Sequence, residues 1–405
     1  MLRDELDSRT NDISTMNANA QLLREEIDPR KPPTANARVK PRAVVFGGGI
    51  GGFPSMLLRF RDEFDIVATL NPQLSTAYQL ACLALSVRWP REAWYRRWRH
   101  YVEKTPLSFR TLTRRSTRLL AKYEGKYDVI LFMGAMYAPS IHINKPLFLF
   151  TDSCRRLSSL NPYDEISHFR NAAEEAAWLS LEGGLYRRAR RIFTGSEFVR
   201  QCITEHYGVA PGNVVAAGFG AGLGFGEPYE KTFDGRTILY IGKGDFEKKG
   251  GTLLLQAFER VRREIPDATL HVVGQDRLPT LPGLVNHGFV RDRQRLVELM
   301  RSAHVFTLPS LVDRFGITLV EAMATSTPCV SSDYGAMPEV VGDAGLVTPC
   351  NDVDALANAL LTILRDETLA RRLGMIGRRR FEQKYNWDSI WNVIQAEMRS
   401  ALSAS

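Results

Sequence analysis

The chain has 405 residues, of which 44% are hydrophobic, and a formal net charge of +8. This length accommodates two domains of ordinary size, and the hydrophobic content is enough for two cores. The positive charge predicts an anionic partner, but it does not choose between nucleic acid, a lipid head group and a sugar nucleotide. No apolar run approaches the roughly 18 residues that a membrane span needs, so the sequence predicts none.

The first 40 residues are polar and charged, and they lack the apolar core of a signal peptide. They end in Arg30-Lys31-Pro32-Pro33, a linker-like stretch, so we expect a flexible N-terminal tail over residues 1–40. The five cysteines are odd in number, scattered, and without metal-like spacing. This pattern indicates a reducing compartment and no zinc site, and it predicts a cytoplasmic protein.

From Pro41 onward, short apolar or β-branched runs alternate with longer helical patterns, and the alternation repeats from Thr237 to Pro349. Strands that alternate with helices in this way form parallel sheets covered on both faces. We therefore predict an α/β protein with two Rossmann-like domains, over residues 41–228 and 229–385, and the Gly-rich stretch Gly218–Gly226 as the hinge. The predicted strands of the first block are Ala43–Phe46, Asp65–Leu70, Val129–Met133, Leu147–Thr151, Arg191–Thr194 and Val214–Ala217.

A glycine-rich loop follows the first predicted strand. Gly47, Gly49 and Gly52 spell G-x-G-x-x-G, which alone would indicate a dinucleotide such as NAD. An NAD site also needs an acid near the end of the second strand, and that strand ends at Thr69-Leu70-Asn71, without one. The loop is therefore a weak signal for NAD.

A basic and aromatic stretch extends from Arg88 to Arg118, with ten Lys or Arg residues and two acids. Tryptophans and tyrosines are mixed with the cations, at Trp89, Trp94, Tyr95, Trp98 and Tyr101. Such a helix can lie in a membrane interface, bind an anionic acceptor, or be a solvated helix whose tryptophans pack on the sheet. Nucleic-acid binding is the weakest of these interpretations, because no nucleic-acid module accompanies the stretch.

Two acids frame a glycine in the second block. Asp313 stands eight residues before Glu321, and Phe315-Gly316 breaks the chain just before the apolar run Ile317–Met323. A glycine before a helical pattern places backbone N–H groups at a helix start, where anions bind. Glu321 lies about one turn inside that helix, where a carboxylate can accept hydrogen bonds from ligand hydroxyls. These features predict a site for a ligand that carries both phosphate and ribose.

Two lysines follow a buried strand of the same block. The strand Ile238–Gly242 leads into Lys243 and, six residues later, Lys249. Two cations at the carboxyl end of a strand suit a diphosphate, because they neutralise the charge that grows on a leaving group.

Together these segments resemble the family 4 retaining glycosyltransferases (glycosyl transferases group 1). The family pattern E-G-F-G, L-E-A-M-A and G-T-P-V-V-A-S appears here as Asp313–Gly316, Val320–Ala324 and Ser326–Ser331. Asp313 replaces the usual Glu and Ser326 the usual Gly. Upstream, Lys243 stands where the family usually has Arg, Lys249 matches its Lys, and the segments Pro266–Gly274 and Val285–Val290 keep the family order. The resemblance extends from about Thr237 to Pro349.

The resemblance implies a GT-B fold, with two Rossmann-like domains whose parallel sheets face each other across a cleft, and a last helix (residues 386–405) that packs back on the first domain. It implies transfer of a sugar from a UDP- or GDP-sugar, with retention of configuration and without a metal or other cofactor. The acceptor is expected to be a glycan, a lipid or a small molecule. Residues 88–118 would then place the protein peripherally on the inner face of an anionic membrane. The residues expected to perform catalysis are Asp313, Lys243, Lys249 and Asp152; those expected to bind the donor are Gly48, Gly49, Phe315, Gly316, Ile317, Glu321 and Val290.

Some alternatives stay open at this point. Asp152 follows the fourth predicted strand near a position where many family members have a catalytic His, but an Asp there is equally typical of a helix N-cap. An NAD-dependent oxidoreductase built on the glycine loop, and a non-catalytic binding protein with the GT-B fold, are the two alternative functions.

Overall fold

The computed structural model describes residues 40–47, 53–139, 144–222, 231–233 and 236–403. The predicted donor contacts Gly48 and Gly49, and all of the predicted N-terminal tail except Lys40, lie outside these residues. The strands are β1 Arg42–Phe46, β2 Asp65–Leu70, β3 Val129–Met133, β4 Leu147–Thr151, β5 Arg191–Thr194, β6 Val214–Ala216, β7 Thr237–Ile241, β8 Thr269–Val273, β9 Leu284–Asn286, β10 Val305–Leu308, β11 Cys329–Ser332 and β12 Gly345–Thr348.

Helices connect these strands. They are α1 Phe53–Glu63, α2 Thr76–Leu85, α3 Arg91–Glu103, α4 Pro106–Ala121, α5 Arg155–Leu160, α6 Ala172–Arg188, α7 Glu197–Tyr207, α8 Gly251–Glu264, α9 Arg293–Ser302, α10 Ile317–Ala324, α11 Met337–Val341, α12 Val353–Arg365, α13 Glu367–Arg380 and α14 Trp387–Ser403. Short 3-10 turns lie at Glu165–Ser167, Pro211–Asn213 and Gly342–Ala344, and a π-helical turn, Phe381–Tyr385, precedes α14.

In the described part of the chain the strands form two six-stranded sheets, and neighbouring strands in each sheet run parallel. The first sheet has the order β2-β1-β3-β4-β5-β6, and the second has the order β12-β11-β10-β7-β8-β9. Numbered within its own domain, the second sheet has the 3-2-1-4-5-6 order of a dinucleotide-binding fold. In each sheet the order reverses beside the domain's first strand, at β1/β3 and at β7/β10. Ligands of open α/β sheets bind in the crevice at the carboxyl ends of such strands.

Apolar runs explain why these strands are internal. The side chains of β3, VILFM, and of β4, LFLFT, are buried at every position. A parallel strand covered by helices on both faces requires this continuous pattern rather than alternation. The sequence-based prediction of an α/β fold with two Rossmann-like domains is therefore confirmed.

The last helix, α14, does not pack on the domain that precedes it in the chain. Its residues Ile390, Trp391 and Ile394 join the apolar cluster on one face of the first sheet. The ring of Trp391 lies 5.2 Å from that of Phe60 on α1, at an angle of 73°. The chain thus crosses between the domains twice, and α14 fastens the second domain to the first.

Direct contacts also join the two domains across the cleft. Both carboxylate oxygens of Glu339 accept hydrogen bonds from backbone N–H groups at the start of α7, from Glu197 at 2.9 Å and Phe198 at 3.2 Å. Asn161 Nδ2 donates to the carbonyl of Leu311 at 2.9 Å. These bonds fix the facing edges of the cleft without closing it.

Within the described ranges, no helix has both the length and the apolar character needed to cross a bilayer.

Candidate active site

A cavity of about 470 Å³ lies where the carboxyl ends of the two sheets face each other. The first domain contributes residues from the end of α3, from the segment after β4, and from the start of α7. The second domain contributes the loop after β7 and the loop after β10. The charged residues around the cavity are Arg99, Glu103, Lys104, Asp152, Asp164, Asp245, Lys248, Lys249, Asp313 and Arg314.

Backbone hydrogen bonds join the loop after β7 to the loop after β10. The carbonyl oxygen of Lys248 accepts hydrogen bonds from the N–H groups of Leu311, at 2.9 Å, and Val312, at 3.0 Å. Gly250 has φ +75°, and a Cβ at this position would lie 1.9 Å from the carbonyl oxygen of Pro309. Only glycine allows this approach, which brings Lys249 beside the second loop.

Lys249 and Asp313 form an ion pair at this junction. Lys249 Nζ lies 2.7 Å from Asp313 Oδ2 and 3.1 Å from the carbonyl oxygen of Val312. The other carboxylate oxygen, Oδ1, accepts hydrogen bonds from the N–H groups of Phe315, at 3.2 Å, and Gly316, at 2.8 Å. The carboxylate is therefore held on one side by the backbone and on the other by a cation.

The sequence predicts that the helix start at Gly316 offers backbone N–H groups to an anion. The structure changes which N–H groups are available. The N–H groups of Phe315 and Gly316 already donate to Asp313, so the N–H groups that point beyond the helix start are those of Ile317 and Thr318. Gly316 has φ +78° and is the N-cap of α10. Ile317 and Gly316 both line the cavity.

Phe315 packs rather than pointing into open space. Its ring lies 5.5 Å from that of Phe219, in the segment between the domains, and 5.9 Å from that of Tyr385. The predicted donor contact at Phe315 therefore has a second role in the structure, because its side chain fills the seam between the two domains.

Asp152 lies opposite, at the end of β4, and pairs across the cleft. Arg314 Nη1 lies 3.4 Å from Asp152 Oδ2, and these residues belong to different domains. The side chain of Asp152 caps no described helix; the side chains of Asn171 and Ser196 do so at the next two α-helices. Among the carboxylates around the cavity, Asp152 and Asp313 are thus each paired with a cation of the second domain.

Lys243 and Val290 lie apart from this cavity. Lys243 is exposed, and its Nζ lies 5.9 Å from the centre of the Phe289 ring. Val290, next to Phe289, packs against the apolar core of the second domain. The structure therefore separates the two predicted phosphate-binding lysines: Lys249 faces the cavity, and Lys243 lies beside the loop after β9.

Glu321 lies on α10 beside the segment that joins the domains. Its Oε1 would be 3.8 Å from a Cβ placed on Gly222. Burial raises the pKa of the Glu321 carboxyl to about 7, and a hydrogen bond from the Gly222 backbone and the charge of Arg293 act in the opposite direction. Hydrogen bonds from hydroxyl groups would stabilise the charged form of this buried carboxyl, because they replace the hydrogen bonds to water that burial removes.

Arg314, Lys248 and Lys104 line the cavity, although they were not among the predicted site residues. Arg314 and Lys248 adjoin Asp313 and Lys249 in the sequence, so the motifs already contained a signal for them. Lys104 comes from the basic stretch of the first domain, and its position could not be read from a motif.

The comparisons with known proteins agree with this geometry. Residues 235–366 match the model of the family described as glycosyl transferases group 1. The chain is 34% identical over 253 residues to a phosphatidyl-myo-inositol mannosyltransferase of Mycolicibacterium smegmatis. The aligned region covers 58% of this chain and 63% of that protein. It is 29% identical over 300 residues to an MMP alpha-(1->4)-mannosyltransferase of Mycolicibacterium hassiacum. This aligned region covers 69% of this chain and 72% of that protein. The first of these matches thus spans less than two thirds of the relative's length.

Solved structures show the same fold. A sucrose-phosphate synthase from Thermosynechococcus elongatus has a TM-score of 0.64 and 18% identity, over 90% of this chain and all of that one. Anabaena HepE, solved in complex with UDP and glucose, has a TM-score of 0.60 and 14% identity, over 89% of this chain and all of that one. Two Rossmann-like domains around a cleft define the GT-B class of fold. Within that fold class, residues 235–366 match the group 1 glycosyltransferases, as the motifs in this part of the chain indicated.

The raised pKa of Glu321 predicts a pH-dependent stability difference for Glu321→Gln. The folded-state pKa, about 7, lies above the ordinary value, so the carboxylate destabilises the fold above pH 7, and this cost fades as the pH falls toward the ordinary value. We expect the substitution to raise the free energy of unfolding by about 1–3 kcal/mol at pH 8 and by much less at pH 5. Urea unfolding at both pH values measures this.

The exposed residue Glu205 supplies the matched control, Glu205→Gln, for which we expect no such pH-dependent gain. An equal effect of Glu321→Gln at pH 5 and pH 8 would show that the Glu321 carboxyl titrates normally.

Proposed function

We propose that this chain is a retaining glycosyltransferase that moves a sugar from a nucleotide-sugar donor to an acceptor hydroxyl. The observation that carries the proposal is the Lys249–Asp313 pair at the β7/β10 crevice, where the family motifs and the ligand-binding edge of the sheet coincide. The family match favours this function over an NAD-dependent oxidoreductase.

The second domain would hold the donor. Lys249 would contact the diphosphate and offset the charge that develops on it as the glycosidic bond breaks. Gly48 and Gly49 would contact the same group, whereas Lys243, which lies beside Phe289 and apart from the cavity, could reach it only by a change in its side-chain conformation. Glu321 would accept hydrogen bonds from the ribose hydroxyls. A UDP- or GDP-sugar fits these elements equally. The lysine charge takes the place that a divalent cation has in other transferases, so we expect no metal requirement.

Asp313 would hold the donor sugar. Its carboxylate is fixed by the backbone of Phe315 and Gly316, which orients it without a ligand. Because the carboxylate is already oriented, it has little rearrangement to make when the transition state forms. The acceptor hydroxyl would attack on the face that the nucleotide leaves, with the leaving phosphate as base, so that the anomeric configuration is retained. Asp152 would lie on the acceptor side of the cleft.

A lipid or glycan acceptor agrees with the relatives' names, since one acts on phosphatidyl-myo-inositol. Membrane contact has structural support at the corner between α2 and α3. There, large apolar side chains are exposed to solvent, by 70% at Leu85, 66% at Val87 and 84% at Trp89. Trp94 and Trp98 instead pack, because their Nε1 groups donate to carbonyls of Leu83 and Gln79. We propose that the Leu85–Trp89 corner, with Arg88 and Arg91, touches the inner face of an anionic membrane.

Transfer itself is the test of the function. We expect purified protein to release nucleoside diphosphate from one class of nucleotide sugar in the presence of an acceptor extract, and NMR of the product to show the donor's anomeric configuration. EDTA should leave the rate unchanged. Asp313→Asn keeps the shape of the side chain but loses its charge, and we expect it to lower kcat by about 100-fold or more.

A rate abolished by EDTA would refute metal independence, and an inverted product would refute retention. Binding of nucleotide sugar with no turnover on any acceptor would instead favour a non-catalytic GT-B binding protein.

Trp89→Ser tests the membrane proposal, because it removes the most exposed large apolar side chain of the corner. We expect at least a threefold loss of co-flotation with vesicles of phosphatidylcholine and 30% phosphatidylglycerol. The matched control is Leu160→Ser, an exposed leucine elsewhere on the first domain, which should float as the wild type does. Equal flotation of all three proteins, or none by the wild type, would contradict the proposal.

A further inference from the structure

The first-domain side of the cavity contains a lysine with an unusual environment. Lys104 follows α3 directly, lines the cavity, and is only 9% exposed. Its backbone is held firmly, because its carbonyl accepts a hydrogen bond from Arg155 Nη1 at 2.5 Å and the next residue, Thr105, is the N-cap of α4 with a complete capping box. The fold therefore positions the backbone from which the Lys104 side chain extends.

Lys104 Nζ has no hydrogen-bond or ion-pair partner among the described residues. Lysine is almost never buried without a partner, because removing an ammonium group from water is costly. Two of the acids on neighbouring elements have partners of their own. Glu103 pairs with Arg99, with 2.9 Å between Nη2 and Oε2, and Glu174 pairs with His100 and Arg170.

The other charged groups near Lys104 do not supply a partner for its ammonium. Burial lowers the pKa of Lys104 to about 8, and the positive charges of Arg314 and Arg155 lower it further, whereas Glu103 and Asp164 act in the opposite direction. The ammonium therefore keeps its charge at neutral pH. It faces Arg314 across the cavity, and Arg314 itself extends from the second domain to Asp152. Two cations facing one enclosed space attract an anion between them.

Serine hydroxyl groups also line the cavity. Ser153, Ser158 and Ser167 are all wall residues, and Ser153 Oγ lies 3.3 Å from Ser158 Oγ. Hydroxyls beside an ammonium suit the oxygens of a phosphate or carboxylate, which accept several hydrogen bonds at once.

We propose that the acceptor carries an anionic group, a phosphate or a carboxylate, and that Lys104 binds it together with Arg314. This inference rests on the proposed transferase function and names the chemical class of its acceptor. The donor elements Lys249 and Asp313 lie on the facing wall of the same cavity. An acceptor anchored by its anion at Lys104 would thus present a hydroxyl toward the donor sugar, and neutral sugars would bind weakly.

The first measurement is stability without a ligand. Lys104→Met keeps the length of the side chain and removes the charge. Because the ammonium lacks a partner, we expect the variant to melt at the same temperature as the wild type or higher. A clearly lower melting temperature would show that Lys104 has a structural partner, and the proposal would fail.

The second measurement is anion binding to the full chain, with inorganic phosphate and glycerol 3-phosphate as soluble probes. We expect both to raise the melting temperature of the wild type, glycerol to have no effect, and apparent affinity to fall at least tenfold in Lys104→Met. Lys104→Arg should keep most of the binding. Vesicles of phosphatidylcholine with and without phosphatidic acid form the lipid arm: a loss in Lys104→Met confined to the vesicles would identify a lipid head group as the anion source.

Lys249→Ala separates this site from the donor site. Nucleotide-sugar binding should be weakened in Lys249→Ala and unchanged in Lys104→Met; if no nucleotide sugar binds any of these proteins, it is the proposed function that fails. If phosphate binding is lost only in Lys249→Ala, or is unchanged in Lys104→Met, the anion lies elsewhere and the Lys104 proposal is overturned.

Discussion

The ion pair between Lys249 and Asp313 is the interaction on which the site depends. It joins the loop after β7 to the loop after β10, two strands that are neighbours in the sheet although the paired residues are 64 positions apart. An exposed ion pair contributes little to stability, but this one is partly buried and shares its carboxylate with two backbone N–H groups. The main effect of the ion pair is to hold two charged groups in place. The cation lies where a diphosphate would bind, and the carboxylate lies where a sugar would bind.

The cleft is completed by contacts that belong to neither domain alone. Phe315 fills the seam against Phe219, Glu339 caps α7 from across the cleft, and α14 returns to the first sheet. Hydrogen bonds and single aromatic contacts of this kind are weaker than a continuous apolar interface, so rotation of the domains about the cleft is the expected motion. Glu321 lies beside Gly222, so such a rotation would change the surroundings of its carboxyl. Burial raises the pKa of this carboxyl, and a hydrogen bond from the Gly222 backbone, in the segment between the domains, acts in the opposite direction.

Much of this could be predicted from the sequence, for local reasons. Strands such as β3 and β4 are continuous apolar runs, which only a doubly covered parallel sheet explains. Two motifs that match one family placed Lys249 and Asp313 in the same predicted site, although they did not predict the ion pair between them. Even Ser326, the departure from the family's glycine, has the positive φ, 54°, that a glycine would adopt there.

Other features depend on contacts between distant parts of the chain. Nothing local indicates that Arg314 reaches Asp152, 162 residues away, or that Lys104 is buried without a partner. Similarly, the spacing of Lys243 and Lys249 suggested one shared ligand group, but the loop turns Lys243 toward Phe289 and away from the cavity. Residue type and spacing determine which elements form; which side chains meet across a cleft is determined by how the domains dock.

The role of Lys249 in donor binding can be measured by calorimetric titration of UDP-, GDP- and ADP-sugars into wild type, Lys249→Ala and the surface control Lys126→Ala. We predict that one nucleotide class binds the wild type and the control equally, and binds Lys249→Ala at least tenfold more weakly, because the diphosphate loses its cation. Equal affinity for all three proteins would contradict it, since the Lys249–Asp313 junction would then not be the donor site.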